Sequence, residues 1–102
     1  MNKLKTEFVR ILNGAAKLLL DCEIEERASW FMEQVDKLQS SDSESTLTDV
    51  ATSVRSSVAG MGSFSDLSLQ PSEECGLTEE EANEMKWKFV EDSDRITEEI
   101  LH

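Results

Sequence analysis

Six residues near the C-terminal end carry the densest chemistry in this sequence. Glu80, Glu84, Trp87, Glu91, Asp94 and Glu98 follow one another at steps of four, three, four, three and four. On a helix that spacing puts all six on one face. Five carboxylates around an indole suit the binding of a cationic protein. The acids steer and pair with Lys or Arg, and tryptophan is a common anchor of protein interfaces. The alternative is an ordinary solvated face, with Trp87 packed on another helix or Lys3, Arg10 and Lys17 neutralising the stripe. The sequence leaves both open.

Catalysis finds little to work with. The one histidine, His102, is the last residue, and there is no tyrosine. Cys22 and Cys75 have no sequence-adjacent base to make a reactive thiolate. Carboxylates are so numerous that no pair stands out as one with separated pKa values. Zinc needs about four soft ligands at short spacings, which two distant cysteines do not supply. The stretch SDSESTLTD offers oxygens for calcium but lacks the glycine its loop turns on. The expectation is a non-enzymatic protein with no catalytic residue, cofactor or metal. The two cysteines read as free thiols, with a single disulfide as the alternative.

The charge says more. Twenty-two acids oppose ten bases over 102 residues, a formal net charge of −12. Residues 1–20 carry four bases and one acid, 21–58 three bases and nine acids, and 59–102 three bases and twelve acids. Nucleic-acid binding rests on basic groups that displace counterions, so no nucleic-acid partner is expected. An anionic membrane would repel this chain, and no run approaches the ~20 apolar residues of a membrane span. The first residues, MNKLKTEFVRIL, lack the continuous apolar segment of a signal peptide, so a cytoplasmic location is expected. A basic protein is the fitting partner for such a field.

The elements that must position these groups follow from apolar spacing. Leu4, Phe8, Ile11, Ala15 and Leu18 predict a helix over residues 2–20, its stripe widened by Leu12 and Leu19. Ile24, Ala28, Phe31, Val35 and Leu38 predict a second, with Asp21 as N-cap. QSSDSESTLTD reads as a polar loop. Leu47, Val50 or Ala51, Val54 and Val58 fit a third helix, held by packing because its serines and β-branched residues are poor helix formers. Thr78 and Glu81 form a capping box that opens the fourth, over 78–101 and roughly 36 Å long. Its core stripe is expected at Ala82, Met85, Phe89, Ile96 and Ile100, with room for a bend at 92–94, where only Asp92 and Ser93 stand in that stripe.

Between the last two helices lies AGMGSFSDLSLQP, residues 59–71. A phosphate cradle would need a base and a helix directly after the glycines, and no base lies between Arg55 and Lys86. A packed corner fits better. Gly60 stands where a left-handed helix cap wants glycine, Gly62 permits a second turn, and Phe64, Leu67 and Leu69 can pin the segment to the core.

GMGSFSDL also resembles a family of small uncharacterised bacterial proteins with a GGMGSFNDL-like motif, some of which look like toxin-immunity proteins. The resemblance spans residues 1–70 and rests on Gly60, Met61, Gly62, Ser63, Phe64, Asp66 and Leu67; Ala59 and Ser65 depart from it, and the acidic last helix lies outside it.

The sequence therefore predicts an all-α single domain over residues 1–102, four-helix bundle-like, with an irregular glycine-containing corner before the last helix. The expected function is that of an immunity protein. It would bind a cognate basic toxin domain, a nuclease for preference, and mask its active or substrate-binding surface. The alternative is an acidic adaptor or regulatory subunit of a bacterial complex.

Overall fold

The computed structural model describes residues 3–41, 43–59 and 69–101. The fold is all-α. Four helices, α1 (Lys3–Asp21), α2 (Glu25–Ser40), α3 (Glu44–Ala59) and α4 (Glu79–Leu101), share one core, with no strand among the described residues. Each helix packs on its neighbours in sequence, and α1 closes the ring against α4. Short connections of three residues favour antiparallel neighbours. The cross-links agree. Lys5 Nζ near the start of α1 donates to the Ser41 carbonyl just past α2. Arg95 late in α4 reaches Glu7 early in α1.

The core forms where the spacing demanded it. Phe8, Ile11, Leu12, Ala15, Leu18 and Leu19 of α1 are buried, as are Ala28, Phe31, Val35 and Leu38 of α2. Leu47, Val50, Ala51, Val54 and Val58 bury one side of the serine-rich α3. Each large side chain so buried contributes roughly 1.5–3 kcal/mol, which outweighs α3's poor helix propensity. Phe31 and Phe89 meet edge to face at 5.5 Å across the bundle interior.

The α1–α2 corner departs from expectation. Asp21 is not the N-cap of α2 but the last residue of α1, and α2 begins behind Ile24 with no side-chain cap. The turn is closed by backbone instead. Glu23 N–H donates to the Leu20 carbonyl at 3.0 Å and Ile24 N–H to Leu19 at 2.8 Å, with Glu23 at φ +61°. This is the paired hydrogen bonding of a Schellman cap, here with glutamate in the left-handed position that usually takes glycine. Ile24 packs onto the core beside it.

The polar stretch 39–49 is mostly helix, and the connection shrinks to residues 41–43. Ser43 Oγ accepts the Ser45 N–H at 3.2 Å, and its carbonyl accepts the Leu47 N–H. A serine N-cap thus starts α3 earlier than its first apolar residue suggests.

The predicted capping box is formed. Thr78 N–H donates to Glu81 Oε1, and Glu81 N–H donates to Thr78 Oγ1, each at 3.1 Å. From there α4 runs to Leu101 as one unbroken helix, through the 92–94 stretch. Ser93 is itself buried, and Thr97 Oγ1 donates to its carbonyl at 2.7 Å. Two small hydroxyl residues replace the missing apolar ones.

Candidate protein-binding face

The inner stripe of α4 is Ala82, Lys86, Phe89, Ser93, Ile96 and Thr97. Met85, expected in the core, is 44% exposed, and its place is taken by the next residue, Lys86, which is only 5% exposed. Lys86 lies on the same side of the helix as Ser93 and Thr97, seven and eleven residues on, which are also buried. Lys86 escapes its position along the helix surface, with its ammonium 4.5 Å from the centre of the Trp87 ring. Ile100 is partly buried.

Turning α4 this way sets its acidic side outward. Glu80, Glu84, Trp87, Glu91, Asp94 and Glu98 are all exposed. Trp87, at 53%, is the most exposed large apolar side chain among the described residues, so it is not a core residue. Asp94 meets Arg55 of α3 at 3.4 Å. Glu80, Glu84, Glu91 and Glu98 have no ion-pair partner among the described residues. Among the described residues, Lys3, Arg10 and Lys17 make no ion pair with the stripe. Arg10 lies instead along the α1–α4 groove, with Met85, Lys88 and Asp92. Arg95 is engaged on that side too, by Glu7 at 2.6 Å and Glu99 at 3.8 Å. The Glu7 hydrogen bond and charge push the Arg95 guanidinium further up, so it stays protonated.

Beside Trp87 the α3–α4 seam opens into a groove of about 300 Å³. Val58, Val90 and Trp87 give it apolar walls, and Glu91, Asp94 and Arg55 stand at it. Sequence reading missed this groove. Its α3 residues, Arg55 and Val58, are separated from α4 by the long connection, and only the antiparallel pairing of the two helices brings them to Trp87. The surface thus offers an indole edge, an apolar recess and acidic side chains in one place.

The other singled-out groups sit elsewhere. Gly60, Met61, Gly62, Ser63, Phe64, Asp66 and Leu67 lie outside the described residues. Leu69, expected to pin that corner, is fully buried, and Asn83 of α4 brackets its backbone, accepting from the N–H at 3.4 Å and donating to the carbonyl at 3.3 Å. Cys22 and Cys75 are both free thiols. No group of three or more His, Cys, Asp or Glu residues among those described could hold a metal ion. No helix among the described residues is long and apolar enough to cross a membrane.

Compared with known protein families, with curated proteins and with solved structures, the chain finds no match.

Proposed function

We propose that this protein is an immunity protein, which binds a cognate basic toxin domain and inhibits it by covering its active or substrate-binding surface. The observation that carries the reading is the outer face of α4, where four carboxylates without ion-pair partners among the described residues line up with a half-exposed tryptophan. A side chain of that size left in water weakens no core and supplies a ready anchor for a partner.

The toxin class that fits is a nuclease. Its substrate channel must carry Lys and Arg to hold phosphates, and carboxylates at helical spacing can occupy those positions in place of the nucleic acid. A net charge of −12 speeds the encounter by steering, and the pairing near Trp87 sets the dissociation rate. The resemblance of the GMGSFSDL stretch to a family that includes immunity-like proteins points the same way. Inhibition of this kind asks no catalysis of the inhibitor, and the location that fits it is the cytoplasm.

The test is co-expression with the neighbouring gene products, beginning with any that carries a basic toxin-like domain. The expected outcome is a stable complex and survival of cells that the toxin alone kills. A complex that forms without loss of toxin activity would instead favour the acidic adaptor, and no complex with any neighbouring product would remove the immunity reading.

A further inference from the structure

Cys22 and Cys75 are 53 positions apart in the chain. The fold brings them to one junction, at the end of α1. Cys22 directly follows Asp21, whose carbonyl accepts the Ser72 N–H at 2.9 Å. That bond ties the segment leading into α4 onto the α1–α2 corner. Cys75 closes the 3₁₀ turn Glu73–Cys75, and its side chain folds back, with Sγ donating to the Ser72 carbonyl at 3.1 Å. So Ser72, whose carbonyl holds the Cys75 thiol, is stitched to Asp21, the residue that precedes Cys22.

The thiols are near enough to sense one another. Burial pushes the Cys22 thiol up, and the neighbouring Cys75 and Asp21 push it further. Their surroundings differ. Cys22 is buried in the core cluster, whereas Cys75 is partly exposed on a turn that buries no residue. Gly76 follows that turn at φ +77°. A disulfide needs its Cα atoms roughly 4.4–6.8 Å apart, and a short turn with no buried residue of its own can shift to meet that demand.

We propose that Cys22 and Cys75 form an oxidation site that closes to an intramolecular disulfide, with a small-molecule disulfide as the oxidant. The Cys75 thiolate attacks one sulfur of the oxidant, forms a mixed disulfide and releases the first thiolate. Cys22 then gives up its proton and attacks the Cys75 sulfur, and the second thiolate leaves and takes up a proton. Two protein thiols and one small disulfide become one protein disulfide and two small thiols. Cys75 goes first because it is accessible; Cys22, buried and held protonated, is the resolving thiol. The closed loop spans α2, α3 and the α3–α4 connection and fixes the start of α4, where the acidic face begins.

The experiment equilibrates the folded chain with oxidised glutathione and reads intact mass, disulfide-linked peptides and Tm. The expected product is a monomer lighter by two hydrogens, with the Cys22 peptide joined to the Cys75 peptide. Its Tm should rise by about 10 °C or more, since the bond closes a long loop, and dithiothreitol should reverse the rise. Cys22→Ser should stop at a glutathione adduct on Cys75 with no such gain. A parent chain that ends with two free thiols, as a lasting glutathione adduct or as a disulfide-linked dimer would overturn the proposal. The parent's mass decides this even if Cys22→Ser does not fold.

Discussion

α1 and α4 lie side by side, yet they bury different kinds of residue. α1 buries seven, all of them apolar, and the charged residues it exposes, Lys3, Arg10 and Lys17, are all basic. α4 buries six, and three of these are Lys86, Ser93 and Thr97. Its outer side holds Trp87 and a row of acids. A helix shaped by packing alone would place Trp87 inside and a polar residue outside. α4 does the reverse at positions 86 and 87. The difference separates a helix whose buried side is wholly apolar from one that leaves its largest apolar side chain half in water.

The comparison breaks most visibly in α1. Phe8 is fully buried, so Phe8→Ala should destabilise the fold by roughly 3–5 kcal/mol in urea melts, the usual cost of emptying an aromatic site. Glu84→Gln on the outer face of α4 should move the same melts by no more than about 0.5 kcal/mol. Equal losses from the two would erase the distinction between the helices.

The start of α4 allows a finer test. Thr78→Ala removes one half of the reciprocal cap and should cost about 1 kcal/mol of stability. The corner that ends α1 should respond in the opposite direction. Glu23 holds φ +61°, a conformation that strains any side chain with a Cβ, so Glu23→Gly should stabilise the protein by about 0.5–1 kcal/mol. An unchanged or lowered urea midpoint would show that the Glu23 side chain is worth more than the strain it causes.

These sites also show what could be read in advance. α1 was legible because its apolar residues repeat without interruption, and the α4 cap because Thr78 and Glu81 stand at a spacing with one meaning. The α1–α2 corner was not. Its left-handed position holds Glu23 rather than glycine, so Asp21, a good N-cap residue, looked like the start of α2 when it was the end of α1. The inner stripe of α4 was misplaced by one residue. Met85 is the more apolar choice, but Lys86 is the one that helical geometry turns inward, and a long side chain can bury its stem while its ammonium reaches the Trp87 ring. The acidic face was legible from spacing alone. The groove beside it was not, because Val58 and Arg55 join it only through the pairing of α3 with α4.

The central claim is that Trp87 serves a partner and not the fold. Trp87→Ala tests it most directly, with two quantities measured on one variant: its Tm, and its Kd for the basic toxin domain proposed as its partner. The account predicts a Tm like the parent's and a Kd raised at least ~30-fold, the equivalent of a ~2 kcal/mol interface anchor. A variant that unfolds, or one that melts like the parent and binds as tightly, would contradict it.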